Sequence, residues 1–279
     1  MKYIKLFENF DSYDPYELMI IPPNKKAEMI VREIKKSEPN LKLVSDLIVL
    51  GANLDRQDED NVDWTLLHYA ANYGRVEIVR ILIDAGAELN VQENRGSTPL
   101  HIAAQNGSVE IARMLIEAGA NLNAQDKYGW TPLHRAAGNG RVKIVQMLIG
   151  AKANLDVQDN DGWTPLHRAT RNVEIEIARM LIDAGADLNV QDEKGWTPLH
   201  WAARNGRVEV AQMLIDAGAK LNLQDNGGWT PLHRAALNGS VEIAKMLIDA
   251  GARKDIHNNK GGLPYEFAYN EELKKLLQA

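Results

Sequence analysis

With 279 residues, 45% of them hydrophobic and 25% charged, the chain has the make-up of an ordinary water-soluble globular protein. A net charge of −6 argues against general nucleic-acid or membrane-surface binding, and no stretch reaches the roughly 18 consecutive apolar residues that a membrane span requires. There is no cysteine, which excludes disulfides and thiolate metal sites and fits a reducing compartment.

Residues 1–23 form an N-terminal extension. They hold Tyr3, Phe7, Phe10, Tyr13 and Tyr16, either as a strap on the next segment or as a linear motif or targeting tag. Met1 to Phe10 lacks the apolar run of a secretory signal. The opening Met1-Lys2-Tyr3-Ile4-Lys5-Leu6-Phe7-Glu8 is similar to the start of some tailed-phage proteins. The expected location is the cytoplasm or another intracellular setting, a host cell or virion included.

Residues 24–60 read as an N-terminal capping unit. A charged helix is expected over about Lys25 to Lys36 and an apolar one over Leu41 to Leu50, ending at Gly51-Ala52-Asn53-Leu54. The next loop is two residues longer than its successors and carries Asp63 where they carry glycine.

Residues 61–258 hold six copies of one unit. Thr-Pro-Leu-His recurs at Thr98, Thr131, Thr164, Thr197 and Thr230, each 33 residues after the last, and Thr65 heads a near-copy. In the unit from Asp126 to Gln158, Asp126-Lys127-Tyr128-Gly129 is turn chemistry. Thr131 is placed to cap a helix, and Pro132 suits its first position, where a missing N–H is harmless. Leu133, Ala136 and Ala137 share one face of this first helix, and Gly140 ends it. The second helix, about Arg141 to Gly150, offers Val142, Val145, Leu148 and Ile149, with Ile144 and Met147 alongside. Neither helix can bury its apolar face alone, so copies must stack. Lys152 and Val173 replace the glycines that end helices elsewhere. A β-branched residue at positive φ is an outlier, so Asn172 or a re-formed turn is expected to absorb the strain, with residues 152–175 looser. Residues 259–279 read as a shortened C-terminal cap with Gly261 and Pro264.

The unit Gly-x-Thr-Pro-Leu-His-x-Ala-Ala, with a second helix ending in Leu-Ile-x-Ala-Gly-Ala, resembles the ankyrin repeat. The resemblance implies an all-α solenoid of stacked helix-turn-helix units with hairpin-like loops and degenerate caps at both ends. It also implies a non-catalytic protein-binding scaffold that uses its loop tips and concave first-helix face.

Six histidines, His68, His101, His134, His167, His200 and His233, share one repeat position, and no unit offers a second His or Cys at metal-ligand spacing. The resemblance implies that they tie neighbouring loops, and no metal and no cofactor is expected. Trp64, Trp130, Trp163, Trp196 and Trp229 share another position. They form a ladder that serves either the stack or a partner. Opposite the buried face of the first helices lie Arg135, then Arg168 and Arg171, then Trp201 and Arg204, then Arg234. That is five arginines and no carboxylate. Together with Trp163, Trp196 and Trp229, these six residues form the candidate partner-binding set. Arginine and tryptophan are what interfaces favour. The competing reading pairs the arginines with loop acids such as Asp161, Glu193 and Asp225.

The expected partner is another protein, through an acidic or polar segment, and the chain is expected to be a monomer that does not bind membranes. The alternative is single-stranded nucleic-acid binding through the Arg/Trp face, which the acidic loop tips oppose. An enzyme is the last reading, since no phosphate loop, cysteine or Gly-x-Ser-x-Gly elbow occurs.

Overall fold

A computed structural model describes residues 15–58 and 63–278. The aromatic residues Tyr3, Phe7, Phe10 and Tyr13 of the extension lie outside the described residues, whereas Tyr16 stands exposed. The chain divides into two compact units, Met1–Asn121 and Leu122–Ala279.

The first unit contains α1 (Pro15–Met19), α2 (Pro23–Lys35), α3 (Leu41–Val49), α4 (Leu66–Asn72), α5 (Val76–Asp84), α6 (Pro99–Asn106) and α7 (Val109–Glu117). The second contains α8 (Pro132–Gly138), α9 (Val142–Gly150), α10 (Pro165–Asn172), α11 (Ile175–Asp183), α12 (Pro198–Arg204), α13 (Val208–Asp216), α14 (Pro231–Asn238) and α15 (Val241–Asp249). A 3-10 turn, Pro264–Phe267, and α16 (Glu271–Gln278) complete it. Among the described residues there is no strand.

Each unit is two helical layers deep. In the second unit α8, α10, α12, α14 and the 3-10 turn pack in sequence as one layer, and α9, α11, α13, α15 and α16 as the other. In the first, α2, α4 and α6 line up against α3, α5 and α7. The seam between layers is apolar. Leu133, Ala136 and Ala137 of α8 are fully buried, as are Ile144, Val145 and Leu148 of α9. Val142, Met147 and Ile149 are only half-buried, so the buried stripe of the second helix centres one residue away from the expected one. Alanine pairs let the layers approach closely, and complete burial of a leucine contributes about 1.5–3 kcal/mol.

The helix starts follow from the Thr-Pro dipeptide. Thr131, Thr164, Thr197 and Thr230 are N-caps with extended backbone, and their hydroxyls accept the backbone N–H of the histidine three residues on. The loops that follow the second helices run side by side. Gly195 sits at φ +76°, and a Cβ there would fall 2.7 Å from the backbone nitrogen of Asn226 in the next loop. Only glycine satisfies both demands. Gln158 and Gln191 stitch the same loops: Gln158 Nε2 donates to its own loop at Gly162 O (2.9 Å) and to the next at Gln191 O (3.0 Å). Gln191 repeats this toward Gly195 O and Gln224 O.

One expectation fails here. The turn after α10 does not re-form, and Asn172 does not take up the strain. Val173 itself caps α10 at φ +63°, ψ +33°. Lys152 takes φ +64° and Asp63 φ +54° at their own turns. The physical reason is the neighbouring copy. Asn172 Nδ2 donates to Gly138 O at 2.7 Å, and Glu174 N–H to Ala169 O at 3.0 Å, so the repeat geometry holds the turn and the side chain must tolerate it.

Candidate functional site

Every residue of the candidate set lies in the second unit, so the site is built there, starting from the loops. Asp126 opens a loop and its carboxylate closes it. Asp126 Oδ1 accepts the N–H of Tyr128 (2.8 Å) and of Trp130 (3.0 Å). Its other oxygen accepts from Arg135, nine residues on, at 2.5 Å. One buried carboxylate thus ties the loop to the first helix. The next repeats copy this arrangement. Asp159 takes Asp161 N–H, Trp163 N–H and the guanidinium of Arg168, and Asp225 takes Gly227 N–H, Trp229 N–H and Arg234. Asp192 differs only in its third donor, which is Trp201 Nε1 at 3.0 Å. In the first unit Asp58 takes Trp64 N–H and the Tyr69 hydroxyl, eleven residues on, because that loop is two residues longer.

The locked arginines also fill the gaps between indoles. The Arg168 guanidinium carbon lies 4.2 Å from the Trp130 ring centre and 4.6 Å from that of Trp163. Arg234 sits likewise between Trp196 (4.2 Å) and Trp229 (4.8 Å). Trp201 takes the corresponding place between Trp163 (4.6 Å) and Trp196 (4.7 Å), and Phe267 closes the column on Trp229 at 4.5 Å. Indole faces attract guanidinium groups, so charge and packing act together.

The histidines belong to the same framework. Nδ1 of His134 accepts the backbone N–H of Thr131 (3.1 Å) and lies 2.9 Å from its hydroxyl, and Nε2 reaches Trp163 O at 2.9 Å. An N–H donor on Nδ1 places the ring proton on Nε2, which then donates to the carbonyl. His68, His167, His200 and His233 repeat the pattern toward Ser97, Trp196, Trp229 and Gly262. Both nitrogens of each ring are thereby occupied. Among the described residues no group of three or more His, Asp or Glu is arranged to hold a metal ion. Burial pushes His134, His167 and His200 down to about 4, against the pull of the carbonyls they donate to, and lowers His68 and His233 as well.

The candidate residues therefore separate. Arg168 is only 9% exposed and Trp163 7%, which corrects the expectation that Arg168 stands on an open face. Arg135, Arg234, Trp196, Trp201 and Trp229 are half-buried. Arg171 and Arg204 are exposed. Arg171 lies 5.2 Å over the Trp163 ring, and neither it nor Arg204 is ion-paired among the described residues. The pairing acids are Asp126, Asp159 and Asp225. Asp161 and Glu193 are exposed at the loop tips and pair with no arginine of the set. Of the pairing acids named from the sequence only Asp225 meets an arginine, and the equivalent Asp126 and Asp159 are the functional side chains that sequence reasoning missed. The signal is the nine-residue interval Asp126/Arg135, Asp159/Arg168, Asp225/Arg234, in step with the 33-residue repeat and broken once, at Asp192/Trp201.

A family model for ankyrin repeats matches three times, over residues 34–126, 119–192 and 184–258. The chain belongs to the ankyrin-repeat family. Among solved structures, the ankyrin repeat domain of Bcl-3, a member of the IkappaB protein family, is similar at 28% identity with a TM-score of 0.71. The match covers 76% of this chain and 97% of that one. The Thr-Pro-Leu-His helix starts, the paired helical layers and the side-by-side loops are those of an ankyrin-repeat solenoid. Ankyrin repeats generally mediate protein–protein contact, and typically without catalysis. No helix among the described residues is long and apolar enough to cross a membrane.

Proposed function

We propose that this ankyrin-repeat chain is a non-catalytic scaffold that holds a protein partner against the first helices and loop tips of its second unit. The observation that carries the reading is the division among its arginines. Three of the five are neutralised by carboxylates of their own loops, while Arg171 and Arg204 stand exposed with no ion-pair partner among the described residues, on an otherwise acidic chain. The tryptophan column supports them as a stiff floor, and Trp196, Trp201 and Trp229 keep part of their surface open to a partner. The same division weakens the nucleic-acid alternative, because two uncompensated cations make few phosphate contacts.

Hydrogen exchange with an identified partner tests the reading. Protection is expected at loop tips 127–128, 160–161 and 193–194 and at the C-terminal ends of α10 and α12. Protection confined to the outer sides of α11, α13 and α15 would overturn it.

A further inference from the structure

The side chains three residues beyond each loop-locked position vary from repeat to repeat, and they lie on helices that pack in sequence. α8 offers Gly138, α10 Arg171, α12 Arg204 and α14 Leu237. Arg171 and Arg204 are exposed, and Leu237 is 37% exposed. Along the second unit this row reads small, cationic, cationic, apolar. The next position gives no such variation. It is asparagine in all four repeats, and each side chain is engaged: Asn139 with Arg135 O, Asn172 with Gly138 O, Asn205 with Trp201 O and Asn238 with Ser240 Oγ.

The charges that follow this row in the chain leave it positive: the turns after α8 and α12 carry Arg141 and Arg207, against Glu174 after α10, whose carboxylate lies beside Gly140. At the loop tips Lys127 and Lys194 balance Asp161 and Glu193, and the tip of the following loop, Asn226 and Gly227, is uncharged. The acids at the loop heads are already taken by Arg135, Arg168, Trp201 and Arg234. A partner group that meets Arg171 and Arg204 therefore meets two free guanidinium forks, which favour carboxylates.

Packed helices stand about 8–10 Å apart, and an extended polyproline II segment advances about 3.1 Å per residue, its side chains returning to the same side every third residue. One repeat thus corresponds to about three residues of an extended segment. Resting on the scaffold reading above, we infer that the partner presents an extended segment with two acidic residues three apart and an apolar residue three further on. The acids face Arg171 and Arg204 and the apolar side chain faces Leu237, whichever way the segment runs.

The test is selection of a random dodecapeptide display library on the full chain, followed by fluorescence anisotropy of the recovered peptides. The expected result is enrichment of acid-x-x-acid-x-x-apolar sequences or their reverse. Their affinity is expected to fall at least tenfold for Arg171→Ala/Arg204→Ala and with rising salt, while the thermal midpoint of the variant stays unchanged. Moving one acid by a single position is expected to weaken binding several-fold. Recovered peptides without acids that still lose affinity on Trp201→Ala, or peptides indifferent to acid spacing, overturn the register while leaving the scaffold face in place. Peptides indifferent to every substitution on this face overturn both readings. Recovery of no peptide overturns the extended-segment inference.

Discussion

Val173 shows what a single residue reveals about the repeat. A β-branched side chain in the left-handed region costs about 1–3 kcal/mol, and here it sits where sister repeats place Gly140, Gly206 and Gly239. Val173→Gly is therefore expected to raise stability by about 1 kcal/mol or more, part of the gain being offset by the larger entropy of the unfolded chain. Urea denaturation checks this, and an unchanged midpoint would mean the strain is relieved elsewhere. The histidines give a second prediction at this scale. Burial holds His134, His167 and His200 near 4, while the unfolded chain titrates at the ordinary value of 6.5. Between those values the unfolded state binds more protons than the folded one. Stability is then complete above pH 6.5 and falls as pH is lowered toward 4, by up to about 1.4 kcal/mol per pH unit for each site. Equal urea midpoints at pH 7 and pH 5 would contradict this.

At the scale of the element, the loop and the first helix behave as one part. Asp159 satisfies two backbone N–H groups and a buried guanidinium, so Asp159→Ala strands all three. A loss of about 3 kcal/mol is expected, against less than about 0.5 for the exposed Asp161→Ala two residues away. Comparison of the two thermal midpoints decides it. This element also marks how far the sequence could be read. Helix starts were legible because Thr-Pro has one local meaning, and the face of Leu133, Ala136 and Ala137 because period alone places it. Arg168 was not. The 3.6-residue period puts both Arg168 and Arg171 off the buried stripe. What draws Arg168 inward is a carboxylate nine residues earlier and two indoles from neighbouring loops, none of which belongs to the helix. The nine-residue interval was present to be noticed, but its meaning depends on a loop that folds back over its own helix.

For the whole molecule, the polar residues divide by whether the stack itself engages their side chains. Those that return every 33 residues, the aspartates, glutamines, histidines and most of the arginines, hold loop to helix and loop to loop. Nearest-neighbour stacking explains why they must return, since every copy solves the same problem. Arg171 and Arg204, one repeat apart, share a position that is Gly138 in α8 and Leu237 in α14; no carboxylate among the described residues pairs with them, and they remain exposed. The most direct test is to replace each of the five arginines by alanine in the full chain. The thermal midpoint and the affinity for a selected peptide ligand are then measured on the same samples. This division among the arginines predicts that Arg135→Ala, Arg168→Ala and Arg234→Ala lower the midpoint, while Arg171→Ala and Arg204→Ala leave it in place and weaken binding several-fold. An Arg168→Ala protein as stable as the parent, or Arg171→Ala and Arg204→Ala proteins that bind undiminished, would contradict it.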